Sequence, residues 1–147
     1  VMLQLYKKED KLEVEIEHIY KPREGMASEQ QTPIYFDGHL IGIQPKDAGG
    51  SRNQLICVQA SNPKDIIWTS GKQKRFGLGP YIIADEKIYL LNDDGTLFIL
   101  KASTKGYLEY DSWKVLEGVD SWAPIAIADG YMILRDSKKL ICLNIKE

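Results

Sequence analysis

The sequence predicts an all-β fold built from repeated antiparallel sheets. Two families of apolar segments recur along the chain with the same period, turn signals separate them, and no stretch carries a helical period. The first family comprises TPIYFDGHLIGI, GPYIIADEKIYLL and APIAIADGYMILR. Each member has a proline near its start, and these prolines stand 47 and 44 residues apart: Pro33, Pro80 and Pro124. The chain therefore repeats a unit of forty to fifty residues.

The second family of apolar segments lies downstream of the first in each unit. It comprises QLICVQAS, TLFILKAS and KLICLNIK, whose leucines stand 42 and 43 residues apart: Leu55, Leu97 and Leu140. A large ring ends each unit, 11 to 13 residues before the next proline: Tyr20, Trp68 and Trp113. We predict that the two tryptophans pack between neighbouring units, because a repeated aromatic on an outer strand is usually a packing residue.

Each unit is predicted to be a four-stranded meander, since Asp-Gly turns join its β-rich runs as in tight hairpins. In the unit from Gly79 we expect strands at 81–84, 87–91, 96–101 and 108–113. The first three are almost wholly apolar, which indicates burial on both faces between neighbouring sheets. The intervening NDDG lacks the further oxygen ligands of a calcium loop and is predicted to be a hairpin turn.

The run LEVEIEHI near the start of the chain alternates strictly between apolar and acidic residues. Its leucine, valine and first isoleucine fall on one side and its three glutamates on the other: Leu12, Val14 and Ile16 against Glu13, Glu15 and Glu17. This pattern predicts an outer strand whose glutamates face water and discourage edge pairing.

Four-stranded meanders of this period, buried on both faces, are typical of β-propeller blades. We therefore predict a partial β-propeller over residues 1–147. It comprises the end of one blade at 1–20, whole blades at 32–70 and 79–114, and three strands of a last blade at 123–147. Propellers ordinarily close with four to eight blades. The chain is thus expected to be part of a seven- or eight-bladed ring, whose missing N-terminal blades also supply the absent outer strand of the last blade.

The composition excludes several classes of function. The chain has 19 basic and 21 acidic residues, so it lacks the clustered positive charge of a nucleic-acid-binding protein. No apolar run approaches the roughly 20 residues of a membrane-spanning helix. Cys57 and Cys142 are too few for a disulfide scaffold and are predicted to be buried thiols at one repeat position. His18 and His39 cannot form a zinc cluster on their own, and we predict no metal and no catalytic residue.

The run from the third strand to the aromatic ring resembles the pyrroloquinoline-quinone-like (PQQ-like) propeller repeat, in which an Ala-x-Asp-x-x-x-Gly turn precedes a tryptophan. The counterparts here are Ala60 and Trp68 in QASNPKDIIW, and Ala102, Gly106 and Trp113 in KASTKGYLEYDSW. Asn62 or Thr104 replaces the aspartate of the motif, and Asp65 replaces the first glycine. The resemblance covers nearly all of the chain and implies the C-terminal blades of a larger bacterial propeller of the quinoprotein-like superfamily.

This superfamily has an enzyme branch and a branch without catalysis. Quinoprotein dehydrogenases bind PQQ and calcium in the central funnel, whereas the lipoprotein subunit of the outer-membrane β-barrel assembly machinery is not an enzyme. The present sequence lacks the adjacent cysteine pair of the enzyme branch and is more similar to the second. The resemblance implies a binding or scaffolding module without a cofactor, periplasmic or extracellular. The alternatives are part of a quinoprotein oxidoreductase, and a propeller lyase or hydrolase acting on polysaccharide.

The loops offer the candidate binding residues. Connections between blades, and between the second and third strands of each blade, are expected to emerge on one face of a propeller, where function usually lies. There we select Arg75, Arg135, Trp122 and Gln31 as candidate ligand residues near the channel mouth. They predict a protein partner or a small anionic or carbohydrate-like ligand. The alternative is a solvated rim of exposed charges.

Overall fold

The computed structural model describes residues 1–146, in which thirteen β-strands and one short 3-10 helix (Gly49–Ser51) occur. The strands in chain order are β1 Met2–Lys8, β2 Lys11–His18, β3 Ile34–Phe36, β4 His39–Ile43, β5 Leu55–Gln59, β6 Asn62–Thr69, β7 Tyr81–Ala84, β8 Lys87–Leu91, β9 Thr96–Lys101, β10 Glu109–Lys114, β11 Ala126–Ala128, β12 Tyr131–Arg135 and β13 Leu140–Asn144. No helix within 1–146 is long and apolar enough to cross a membrane.

The strands form four antiparallel sheets that follow one another along the chain. The first sheet is the pair β1–β2, the second runs β3–β4–β5–β6, the third β7–β8–β9–β10 and the fourth β11–β12–β13. The predicted all-β fold of antiparallel meanders is confirmed. In the third sheet the predicted bounds of the first three strands agree with the structure, and the fourth strand begins one residue later than predicted, at Glu109.

Tight turns with left-handed backbone join the first and second strands of the sheets. Asp37 and Gly38 have φ of 46° and 76°, and Asp129 and Gly130 have 49° and 75°, as type I′ hairpin turns require. The NDDG segment is the turn that its sequence predicts, with the Gly95 N–H donating to the Asn92 carbonyl over 2.8 Å. At Gly95 φ is 81°, which an L side chain rarely adopts.

Two apolar clusters fill the spaces between the sheets. The first lies between the second and third sheets and includes Ile88 and Leu90 of β8; the second lies between the third and fourth sheets and includes Tyr89 and Leu91 of the same strand. Successive side chains of a strand point to opposite faces, so β8 serves both clusters. This explains the unbroken apolar run of this strand and confirms its predicted burial on both faces.

The two end sheets each leave one apolar face uncovered. On the first pair Leu3 lies opposite Ile16 and Leu5 opposite Val14, so the apolar side chains of both strands share one face. The predicted alternation of β2 is present, with Glu15 and Glu17 exposed and Glu13 half-buried. Its apolar face is exposed as well, Val14 at 56% and Ile16 at 61%, because no sheet of the described chain covers it.

The prediction of two buried thiols is right for Cys57 and wrong for Cys142. Cys57 lies between two sheets, and this burial raises the pKa of its thiol to about 11. Cys142 occupies the same repeat position in β13, but there the side chains alternate between exposed and half-buried. The difference arises because the fourth sheet has a neighbouring sheet on one of its faces only.

Candidate binding site at the start of the inner strands

A cavity of about 550 Å³ opens where the first strands of three sheets begin. One repeat position contributes to it three times, two residues before the proline of each unit: Gln31, Leu78 and Trp122. The other lining residues are Gln30, Thr32, Ile34, Pro80, Tyr81, Ile82, Ile83, Pro124 and Ile125. A second cavity of about 520 Å³, between the first pair and the second sheet, shares residues 30–32 with it. The repeat itself therefore assembles the main cavity.

Trp122 presents its ring to this cavity and is 45% exposed. The carboxylate of Asp93, in the turn of the third sheet, lies beside the Trp122 side chain. Burial raises the pKa of the Asp93 carboxyl, and the hydrogen bonds from Trp122 and from the backbone of Leu78 and Gly79 offset only part of that rise. One carboxylate oxygen, Oδ1, is buried without a hydrogen-bond partner among residues 1–146. Asp93 thus borders the Trp122 side chain, which remains 45% exposed.

Gln31 has a structural task that the sequence did not indicate. Its side-chain Nε2 donates to the carbonyl of Tyr81, and its Oε1 accepts the Tyr81 backbone N–H over 2.9 Å. The amide thereby extends the ladder at the first residue of β7, from a loop fifty positions earlier in the chain. Because both ends of this amide are occupied, the neighbouring Gln30 and Thr32, which are exposed, are better placed to contact a ligand.

The two candidate arginines do not line this cavity. The Arg75 guanidinium donates to the backbone carbonyls of Lys72 and Arg52, which ties it to its own and a neighbouring loop. Arg135 ends β12 and lines a shallow depression of about 230 Å³ together with residues 136–140. The structure therefore brings Gln31 and Trp122 together and places Arg75 and Arg135 apart from them.

The lining of the main cavity carries no charged side chain. Proline rings, isoleucines and the Trp122 ring supply its apolar surface, and the amide of Gln30 with the hydroxyl of Thr32 supplies donors and acceptors. Such a mixture of apolar walls and few polar groups is usual in small-molecule sites. It suits a neutral ligand that offers both hydroxyl groups and an apolar face.

Polar side chains directly after the second strand hold the loops around the cavity. In the second sheet, buried Gln44 donates to the carbonyl of Gly25 over 2.8 Å and accepts the N–H of Ala27 over 3.1 Å. In the third sheet, the Oδ1 of Asn92 accepts the N–H of Gly77 over 2.8 Å. Both side chains therefore attach the turn of a sheet to the loop that enters the same sheet.

Asp136 occupies the same position in the fourth sheet and is 2% exposed. Its Oδ1 accepts the N–H groups of Lys138 and Lys139 in its own turn, which lower its pKa. The N–H of Ser137 beside it donates to the Val119 carbonyl of the entering loop over 2.8 Å. Sequence reasoning missed all three side chains. A signal existed, since Gln44, Asn92 and Asp136 stand 48 and 44 residues apart, as the turn aspartates do. These contacts bring both sets of loops to one face, as expected.

No protein-family model matches the chain, and no curated protein matches it. Among solved structures, the chain is similar to a crystal structure of AztD from Citrobacter koseri, with a TM-score of 0.56 and 17% identity over 97% of this chain. A structure of apo AztD from the same organism gives a TM-score of 0.55, also at 17% identity and 97% coverage. The chain spans 39% of the length of AztD in both comparisons. At this identity the likeness shows a shared propeller-like arrangement of antiparallel sheets.

In residues 1–146, no group of three or more His, Cys, Asp or Glu side chains is placed to hold a metal ion.

Proposed function

We propose that this chain is a non-catalytic, PQQ-like β-propeller module that binds a neutral, carbohydrate-like ligand at the start of its inner strands. The observation that carries the proposal is the cavity lined three times by one repeat position and containing the half-exposed Trp122 ring. The loops around this cavity supply apolar walls, amide groups and hydroxyl groups. Binding a neutral ligand with such groups requires no catalytic residue.

Trp122 is the residue on which binding is expected to depend. An indole offers a large, rigid apolar face, and the C–H face of a sugar ring is the neutral surface that can lie against it. The Asp93 carboxylate lies beside the ring and restricts its orientation before a ligand arrives. A preset ring reduces the entropy that binding costs.

The module is further proposed to work within a larger ring of blades. The chain spans 39% of AztD, and both end sheets expose an apolar face, with Leu5 at 62% and Leu140 at 64%. Exposed apolar patches of this kind mark interaction surfaces. Additional blades of the same protein are the partner that such faces suit. A periplasmic or extracellular location belongs to the same proposal and depends on the PQQ-like resemblance.

Isothermal titration with maltotriose, cellotriose and chitotriose tests the ligand class. We expect at least one of these neutral trisaccharides to bind and Trp122→Ala to weaken its binding about tenfold, the equivalent of about 1.4 kcal/mol. Tyr110→Ala removes an exposed aromatic from an outer strand and serves as the matched control. Failure of all three sugars to bind, or equal binding by the Trp122 variant, refutes the carbohydrate proposal.

The same titration distinguishes the other candidate residues and the other function. If Arg75→Ala or Arg135→Ala weakens binding as much as Trp122→Ala, the site lies at the arginines and the ligand is anionic. Tight binding of PQQ in the presence of calcium, with no binding of sugar, favours part of a quinoprotein oxidoreductase instead. Turnover of a bound oligosaccharide favours a polysaccharide-acting enzyme.

A further inference from the structure

Seven basic residues lie on three loops at one end of the second sheet. These loops enter the sheet at 21–33, join its second and third strands at 44–54 and leave it at 70–80, and they contain only three acidic residues. The basic residues are Lys21, Arg23, Lys46, Arg52, Lys72, Lys74 and Arg75. The net charge of −2 for the whole chain conceals this excess, because the loops are separate in sequence and only the fold brings them together.

Hydrogen bonds between the loops join them into one surface. The Arg23 Nε donates to the Asp47 carbonyl over 3.3 Å, which attaches the first loop to the second. The Arg75 guanidinium donates to the carbonyls of Arg52 and Lys72, which attaches the second loop to the third. A guanidinium has five N–H donors, so both arginines keep further donors for a ligand.

Most of these cations have no carboxylate partner. Two lysines form salt bridges, Lys46 with Glu29 over 3.6 Å and Lys74 with Glu109 over 2.8 Å. The acidic residues of the three loops outside these pairs are Glu24 and Asp47. The other cations, which we call the basic loop surface, are exposed and form no salt bridge within residues 1–146: Lys21, Arg23, Arg52, Lys72 and Arg75.

The neighbouring loops on the same face have the opposite charge. The turn of the third sheet at 92–95 and the loop at 115–125 contain four acidic residues and no basic residue. Because like charges repel, a bound polyanion is kept away from these loops and confined to the second sheet. The face therefore has one defined region for a negatively charged partner.

We propose that the basic loop surface binds an acidic polysaccharide, whose carboxylate groups lie against its cations. Arginine binds carboxylates through paired, charge-assisted hydrogen bonds. The hydrogen bonds of Arg23 and Arg75 to neighbouring loops restrict both side chains before a ligand arrives, which reduces the entropy that binding costs. Gly49 and Gly50 are exposed on the middle loop, so their peptide groups are accessible to sugar hydroxyl groups.

This surface is an additional site, beyond the function proposed above. The lining of the main cavity carries no charged side chain, and of the candidate ligand residues selected from the sequence only Arg75 belongs to the basic loop surface. The two sites can therefore be tested separately.

The side chains of the three loops favour a polysaccharide over other polyanions. Among the residues that the structure describes, these loops carry no exposed large apolar or aromatic side chain. Protein partners depend on such anchors at the centre of an interface, and single-stranded nucleic acids stack their bases on exposed rings. A sugar chain with a carboxylate on each unit can bind through charge and hydroxyl groups alone.

Isothermal titration with a mannuronate octasaccharide tests the inference, and neutral maltooctaose is the comparison ligand. The test variant combines Arg52→Gln with Lys72→Gln. It leaves the loops attached, because Arg75 uses only the backbone carbonyls of these two residues. The matched control combines Lys101→Gln with Lys105→Gln, which removes two exposed positive charges at the opposite end of the third sheet.

We expect the acidic octasaccharide to bind and maltooctaose not to bind at the loops. The double variant at Arg52 and Lys72 is expected to weaken binding about tenfold, since each exposed ion pair contributes modestly, and the control variant to bind as the unaltered protein does. Binding should also weaken as ionic strength rises from about 10 mM to about 150 mM, which shortens the screening length from about 30 Å to about 8 Å.

Absence of binding at the lower ionic strength, or equal weakening in both double variants, overturns the inference. Octaglutamate and octathymidylate are titrated in parallel. If either binds more tightly than the acidic octasaccharide, the partner is a protein or a nucleic acid and the proposed ligand class is wrong. Trp122→Ala is expected to bind the acidic octasaccharide normally, so the neutral trisaccharides can fail to bind without affecting this result.

Discussion

Two aspartates one residue apart in the repeat have opposite pKa shifts. Asp136 directly follows the second strand of its sheet, and the N–H groups around it, led by that of Lys138, outweigh its burial and lower its pKa. Asp93 lies one position later in the equivalent turn, where burial has the larger effect and raises the pKa. The balance between burial and the N–H groups that reach a carboxylate therefore decides the sign of the shift.

The lowered pKa of Asp136 makes stability dependent on acid pH. A carboxyl group whose pKa is lower in the folded than in the unfolded chain contributes its full stabilisation above its unfolded pKa of about 4 and loses it as pH falls through its folded pKa. We expect Asp136→Asn to flatten the loss of unfolding free energy between about pH 5 and pH 3. Urea unfolding across this range measures the slope, and Asp65→Asn controls for the loss of one negative charge. An unaltered slope in the Asp136 variant contradicts the assignment.

Individual residues were only partly predictable from the sequence. The packing of Trp68 between units follows from its repetition and is confirmed. The same prediction fails in part for Trp113, because burial at that position depends on a strand that the described chain does not contain. The role of Gln31 could not be predicted, since its partner Tyr81 lies fifty residues away and no local pattern connects the two.

At the scale of the element, the second and third sheets are each attached to the entering loop by a polar side chain at the same repeat position. The irregular loops cannot form the regular backbone pairing of a strand. The side-chain amides of Gln44 and Asn92 make hydrogen bonds to their backbone instead. Buried polar groups that lose a hydrogen-bond partner are costly. These contacts therefore stabilise the loops that shape the cavity. Their loss is expected to weaken ligand binding as well.

We expect Gln44→Ala to lower the free energy of unfolding by about 1–3 kcal/mol, because it leaves the Gly25 carbonyl and the Ala27 N–H without their partner. Gln73→Ala removes an exposed glutamine from a loop and is the matched control, with an expected change within about 0.5 kcal/mol. Chemical denaturation of both variants gives the comparison. Equal stability of the two variants shows that the amide of Gln44 is dispensable.

The elements themselves were highly predictable, because strand signals in this chain are local. Asp-Gly turns, proline positions and apolar runs place the strands of the third sheet to within one residue. Which sheets pack against each other depends instead on contacts between residues distant in sequence. Here the repeat made that packing predictable. The sequence predicts that Arg75, Arg135, Gln31 and Trp122 lie on one face of the propeller. In the structure, only Gln31 and Trp122 line the same cavity.

At the scale of the molecule, stability is distributed over boundaries between sheets. Leu90 and Leu91 are neighbours in β8 and both fully buried, but Leu90 belongs to the cluster toward the second sheet and Leu91 to the cluster toward the fourth. In architectures whose repeats contact only their neighbours, stability is approximately a sum of local terms. A substitution that creates a cavity at one boundary should therefore loosen the two sheets that meet at that boundary.

Leu90→Ala and Leu91→Ala form a matched pair that tests this distribution. Each is expected to cost about 2–5 kcal/mol, as truncation of a buried leucine does. Amide hydrogen exchange should then separate them: Leu90→Ala accelerates exchange in β5 more than in β12, and Leu91→Ala accelerates it in β12 more than in β5. The same exchange pattern in both variants indicates a single cooperative core and contradicts two independent boundaries.

The two-sided strand β8 also bears on how such a protein can lengthen during evolution. Its Ile88 and Leu90 meet the sheet before it and its Tyr89 and Leu91 the sheet after it, so one repeat carries half of each interface. A tandem duplication of that repeat places the second half-interface of one copy against the first half-interface of the other. The new boundary thus arises already matched, and later substitutions can diversify the loops while the contacts of the ancestral unit persist.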